Sequence, residues 1–402
     1  MGSIVALGGL CLIPQISTNE IISAAFGNTT IWFLIFSMAF TYALSSSGVL
    51  RKIAIYFVDN PIAKHNSYYF MGCYFLSILL LGSFMAPTVT FILFFGLVKE
   101  IYSLLNLQPG NKMARNLMIG TGFYASISCA MTPIAHTFPL MALGYYETST
   151  GEIISYFSYM LYSIPIGILL SIITYLLLIF GIDKDFNFNN ISFERTKWNK
   201  KEIIALITFI GVVIYWVVIG IWPETFNFFN TLGTIWPTLI GIIILMACDI
   251  LNIKEAFSKG VAWPAILLCG TTLALGKYIT NSEYGLISLI NSEIFSNINP
   301  ARLLFIIIIT TIVLTNLISN IVTTTVSYNL FVPIILLTGI ISPITATIFI
   351  GICASLAYAL PSSIAHIALV GSSGWATSKD VAKYGFILMG ISILIIGGFS
   401  LI

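Results

Sequence analysis

The chain has 402 residues, of which only 8% are charged and 58% are hydrophobic, with a mean hydropathy of +1.00 and a formal net charge of +2. Soluble domains carry about 25% charged residues, so this composition excludes an ordinary water-soluble enzyme and points to lipid as the main solvent. So small a net charge leaves no electrostatic footprint for nucleic acid.

The start, Met1–Pro14, is apolar but has no basic residues before it, so it does not read as a cleavable signal peptide. It is also short beside the roughly 20 residues that a crossing needs. Thr29–Ser47, Ile154–Ile182, Ile203–Trp222, Thr234–Cys248, Val261–Gly276 and Tyr384–Ile402 each read as one crossing, the fourth and fifth being short. Three uncharged stretches do not fit that pattern. Asn66–Val98 and Asn116–Tyr146 are longer than a crossing needs, and each has a polar, proline-containing centre; Leu303–Ser378 is longer still and has two. Irregular backbone at membrane depth persists only where protein or a water-filled cavity satisfies it, and such breaks in transporters line the substrate site.

Lysine and arginine orient the spans. Arg51, Lys52 and Lys64 precede the first long stretch and Lys99, Lys112 and Arg115 follow it, so both of its ends face the cytoplasm. That predicts a re-entrant hairpin over Asn66–Leu105 with its tip at Ala86-Pro87-Thr88. Asn116–Tyr146 then crosses outward to Glu147 and Glu152, and Ile154–Ile182 returns to a loop carrying Lys184, Arg195, Lys197, Lys200 and Lys201. After three further crossings, a second hairpin at about Ala301–Gly339 enters from outside, with its tip at Ser319-Asn320-Ile321. A broken span through Pro361 leads back to Lys379 and Lys383, and a last helix exits. Lys277 and Arg302 alone fall outside and read as interfacial side chains.

Features recur at a nearly constant offset. Gly48 and Gly285 stand 237 apart, the hairpin tips at Thr88 and Ile321 233 apart, and the triplets Ile134-Ala135-His136 and Ile364-Ala365-His366 230 apart, each triplet just after a proline (Pro133, Pro361). Since the two hairpins open to opposite sides, the halves are inverted repeats. The expected architecture is an all-α polytopic membrane protein of about nine spans plus two hairpins. Its segments would be residues 1–60 as first scaffold, 66–182 as first hairpin and transport helices, 183–202 as a cytoplasmic loop, 203–290 as second scaffold, and 301–402 as second hairpin and transport helices. The partner of Ile203–Trp222 would lie before Met1, so the first scaffold is expected to be N-terminally short.

The six cysteines (Cys11, Cys73, Cys129, Cys248, Cys269, Cys353) lie in apolar stretches without paired or metal-like spacing and read as small core residues. No metal site and no cofactor motif is expected. His136 and His366 are ionisable groups within broken spans, which makes them functional candidates, because burial of such groups is costly. They would hold an anion by donating hydrogen bonds or by carrying charge when protonated; the bland alternative is that each ring satisfies an unwound carbonyl. Thr323-Thr324-Thr325 reads as helix packing.

Several segments resemble the divalent anion/sodium symporter family. Thr29–Phe57 and Val261–Ile290 are similar to its scaffold span and the second-repeat equivalent. ASISCAMTPIAHTFPLMALGY (Ala125–Tyr145) and SLAYALPSSIAHIALVGSSG (Ser355–Gly374) resemble its two broken-helix loops, and LTNLISN (Leu314–Asn320) resembles its TExxSNT hairpin tip. The resemblance implies an elevator-type secondary transporter of small anions, di- or tricarboxylates foremost, working as a homodimer in the inner membrane with sodium as a possible coupling ion. It implies substrate contacts at Thr88, Ser319 and Asn320 and a cation at Thr315, Ile318 and Asn320; at the breaks, Thr132, Pro361, Ser362 and Ser363 join His136 and His366 as substrate-binding candidates. Two departures stand out: the first tip is Ala86-Pro87-Thr88, and both TPPN-like loops carry histidine. Exchange, or coupling through one cation site, thereby becomes a contender. Rival functions are an arsenite permease or sodium/proton antiporter, which would show an acidic residue at a break, an inactive paralogue, and a membrane enzyme, for which no catalytic set is present.

Overall fold

A computed structural model describes residues 2–14, 16–184, 188, 193, 196–279 and 299–400. Arg195, Gly285 and the end of the second scaffold segment lie outside the described residues. Among those described, the regular structure is entirely helical. In chain order the helices are α1 (Gly2–Leu10), α2 (Thr18–Phe26), α3 (Thr29–Ser46), α4 (Val49–Val58), α5 (Ser67–Gly82), α6 (Pro87–Leu104), α7 (Lys112–Met131), α8 (Thr137–Thr150) and α9 (Tyr156–Ile179). They continue as α10 (Lys200–Ile221), α11 (Asn227–Leu232), α12 (Trp236–Ala247), α13 (Trp263–Ile279), α14 (Pro300–Leu317), α15 (Asn320–Thr338), α16 (Pro343–Ser355), α17 (Ala365–Gly371) and α18 (Ser378–Phe399). A short helical turn at Ile253–Glu255, running into a π turn at Ala256–Gly260, precedes α13.

The chain is a multi-pass membrane protein. Seven described helices (α3, α6, α9, α10, α14, α15, α18) are long and apolar enough to cross a bilayer, or eight spans if the 66° bend before α13 is one broken span. The expected count of about nine differs because α7–α8 and α16–α17 are each two pieces and α12 has only 12 residues. Two tight helix–turn–helix units, α5–α6 and α14–α15, fall where the hairpins were expected. Each packs on its own interrupted helix, α7 or α16 respectively. Each also touches the second half of the other: α6 meets α17, and α15 meets α8. The first halves, α7 and α16, lie against one another at the centre, and α7 is buried along nearly its whole length.

Ion pairs gather at one end of the bundle. Arg51, at the start of α4, joins Glu100, near the end of α6, at 2.6 Å. Arg115 meets Asp380 at 3.6 Å and Lys52 meets Glu202 at 2.6 Å. The last pair is the best shielded, with side chains 16% and 9% exposed, and Glu202 also accepts the Asn199 N–H in a capping box at the start of α10. Glu202→Ala is therefore expected to cost about 2 kcal/mol, by unpairing Lys52 and removing the carboxylate half of the capping box. Glu202→Gln, which keeps a capping oxygen, should lose less. Thermal melting of the purified protein checks both.

Candidate functional site

Helix starts separate into two kinds. Away from the interruptions, Ser, Thr or Asn side chains cap the first turn: Asn28, Asn66, Asn111, Ser155, Asn199, Asn299, Ser342 and Thr377 all accept a first-turn N–H. Among the described starts there, α4, behind Gly48, and α12, behind Ile235, have no such cap, and Phe226 before α11 and Ala262 before α13 have no side-chain oxygen to offer. The four helices that begin at a tip or a break have no side-chain cap at all. Their N-cap positions are Ala86 (α6), His136 (α8), Ser319 (α15) and Ile364 (α17). First-turn N–H groups have no intrahelical partner, and together with the helix dipole they attract anions.

The second tip is the more polar. Asn320 is 2% exposed and donates from Nδ2 to the Ala354 carbonyl at 2.9 Å, where Thr315 Oγ1 also donates at 2.6 Å. Two of the expected cation-site residues therefore converge on one backbone oxygen at the end of α16. Ile318, the third, has extended backbone and an outward side chain. Ser319 is exposed, and although it occupies the N-cap position its hydroxyl makes no capping bond.

The first tip is barer. Thr88 is half-buried in the first turn of α6, behind an Ala86 that has no side-chain oxygen to offer. Thr132 is buried and donates from Oγ1 to the Ser83 carbonyl, tying the break in α7–α8 to the hairpin. The 233-residue offset places Gly82 opposite Thr315, and a Cβ at Gly82 would lie 2.1 Å from Ser128 Oγ. Ser128 fills the space a side chain there would need.

Neither histidine takes up an unwound carbonyl, so the bland expectation fails. His136 Nδ1 lies 3.3 Å from Cys129 Sγ, and its ring stands edge-on to Phe138. His366, fully buried, reaches from the second interrupted helix to Ser126 of the first, with Nε2 2.8 Å from Ser126 Oγ. That hydroxyl has a single proton and gives it to the Ala357 carbonyl at 2.7 Å. Nε2 must then be the donor, and the network assigns Nδ1 as a buried lone pair with no hydrogen-bond partner. In this tautomer His366 has no N–H free for an anion, which corrects the expectation that a neutral ring would donate one. Ser363 spends its hydroxyl on the Leu360 carbonyl at 2.6 Å, Ser362 is exposed, and Pro361 is half-buried. Among the described residues no group of three or more His, Cys, Asp or Glu is placed to hold a metal.

A family model described as the citrate transporter matches residues 2–327. The chain belongs to the citrate transporter family. Among curated relatives of this family member, an uncharacterized transporter of Methanocaldococcus jannaschii is 26% identical over 350 residues, covering 83% of this chain and 72% of that protein. The sodium-dependent dicarboxylate transporter SdcS of Staphylococcus saprophyticus is 23% identical over 420 residues, covering 96% of this chain and 79% of SdcS. The YdaH transporter of Alcanivorax borkumensis, whose structure has an unusual topology, matches in fold with a TM-score of 0.66 at 12% identity, over 94% of this chain and 86% of YdaH. The resemblance to anion/sodium symporters is thus borne out. Family and relatives are transporters, so the membrane-enzyme alternative falls away.

Two members of this transporter's polar centre escaped sequence reasoning. Asn316 lies within the LTNLISN tip but looks like one polar residue among several. Ser126 sits in ASISCAM, and nothing in its neighbourhood in sequence announces a partner 240 residues away.

Proposed function

We propose that the chain is a secondary carrier of di- or tricarboxylates built from two inverted repeats, with coupling through one sodium ion at the second hairpin tip. The observation that carries this is the set of four uncapped helix N-termini at the tips and breaks, in a chain that caps most other helix starts. Such amides suit carboxylates without a buried arginine. Asn320 and the Thr88 hydroxyl would orient the anion, with the exposed Ser362 at the second break. Thr315, Asn320 and the Ala354 carbonyl would hold the cation, with the Ile318 and Ser319 backbone beside them. Gly82 and Ala86 leave the first tip without the equivalent hydroxyls, which supports a single cation rather than two. The sodium dependence in the name of SdcS supports the choice of ion. The units 66–182 and 301–402 would move together against a scaffold formed by 1–60 and 203–290, as an elevator in a homodimer.

Uptake of labelled citrate and succinate into proteoliposomes tests this. An inward sodium gradient should stimulate uptake of at least one acid, with a hyperbolic rather than sigmoidal dependence on sodium. Uptake that is indifferent to sodium would remove the coupling, and no uptake of either acid would remove the substrate class.

A further inference from the structure

An unwound stretch, residues 356–364, separates α16 from α17, and one side chain holds its first four residues. Were α16 to continue, the Tyr358 N–H would bond to the Ala354 carbonyl and the Ala359 N–H to that of Ser355, by the i to i−4 rule. Instead both N–H groups point to Oδ1 of Asn316, at 2.9 and 2.8 Å. The Nδ2 of the same residue donates to Leu356 O at 3.0 Å and to Ile312 O at 2.9 Å. Asn316 is fully buried in the last turn of α14 and uses the whole of its amide.

We infer that Asn316 is the positioning residue of the cation site: by diverting two amides it keeps α16 from continuing and frees the Ala354 carbonyl. That oxygen is the one to which Thr315 and Asn320 turn. In a continuous helix it would accept the Tyr358 N–H and face along the helix axis. No other type of side chain of this length does the same. Aspartate could accept both N–H groups but would set a carboxylate against two carbonyl oxygens, and leucine could do neither. The next carbonyl but two, Ala357 O, takes the Ser126 hydroxyl, so the opened backbone is held by the second hairpin on one side and by the first interrupted helix on the other. Asn316 itself touches neither ion nor substrate in this scheme.

The functional half of the inference rests on the sodium site proposed above; the structural half does not. Two measurements on Asn316→Ala separate them. Its structure, solved in detergent or nanodisc, should show the Tyr358 N–H moved from position 316 to Ala354 O, or residues 356–359 displaced. Sodium titrations of thermal stability and of uptake should show a half-saturating concentration raised roughly tenfold, as expected for losing one well-placed ligand. The melting temperature without sodium should change less. Asn329→Ala, which removes an amide from the same hairpin that bonds only to the Thr325 carbonyl, should leave the sodium response as it is. If Asn316→Ala does not fold, Asn316→Asp serves: it should keep 358 and 359 in place and lose the tether to Leu356. An unchanged course of 356–359 in Asn316→Ala, or loss of the 358 and 359 N–H contacts in a folded Asn316→Asp, would overturn the inference. A lower melting temperature with an unshifted sodium response would reduce Asn316 to a packing residue. A rewound helix in a protein whose wild type ignores sodium would leave Asn316 as the helix breaker and remove the sodium site.

Discussion

Asn320→Ala is expected to raise the half-saturating concentrations of sodium and of substrate together, with a combined loss of about 100-fold in uptake at low concentrations of both. The estimate combines one hydrogen bond to the substrate carboxylate, worth about 1.5–3 kcal/mol, with one amide oxygen lost from the cation, discounted for the part a water molecule would recover. Asn320 is the first residue of α15, is almost completely buried, and already aims Nδ2 at the Ala354 carbonyl. Its removal would leave Thr315 alone on that oxygen and withdraw the carboxamide that heads α15. Ser319→Ala makes a useful comparison. The Ser319 hydroxyl is exposed and caps nothing, so its loss should leave the melting temperature unchanged. Any fall in uptake would then report a ligand role and not a folding one. Initial rates over a grid of sodium and substrate concentrations read both variants. Wild-type kinetics in Asn320→Ala would remove the second tip from the site.

Both hairpins and both breaks were legible because each leaves a mark that lipid imposes. An uncharged stretch too long for one crossing must turn, and it turns at the proline or small polar residues that tolerate open backbone. Hence the tips at Pro87 and Ser319 and the breaks after Pro133 and before Ala365 fall where composition placed them. What the sequence concealed were roles set by partners. Asn316 and Asn320 are both polar residues at one tip, yet one holds two backbone N–H groups and the other meets a carbonyl oxygen. The histidine pair shared a motif but not a partner: one ring meets a thiol, and the other a hydroxyl from the opposite half of the chain. Periodicity and charge cannot encode such choices, because they depend on where α7 and α16 cross.

Gly385→Ala is expected to destabilise the protein by about 1–3 kcal/mol, the range for forcing a methyl group into a packed interior, and to impair uptake in proportion. A Cβ on Gly385 would lie 2.5 Å from both Ala359 Cα and the Tyr358 carbonyl oxygen. These are backbone atoms of the unwound stretch, and Asn316 holds that stretch from its far side at 2.8–2.9 Å, so it has no room to retreat. Seven residues on, Ser392 takes the Tyr358 hydroxyl, so α18 grips the same segment twice along one face. The methyl group must therefore move α18 or the backbone that presents the Ala354 carbonyl. Gly390 lies on the same helix with nothing within 4 Å of its Cβ position, and Gly390→Ala should be neutral or slightly stabilising. Melting curves of the two variants, followed by sodium-driven uptake, make the comparison. Equal stability in both would mean that α18 is not pressed against the opened helix, and the segment would then owe its course to Asn316, Ser126 and Pro361 without help from α18.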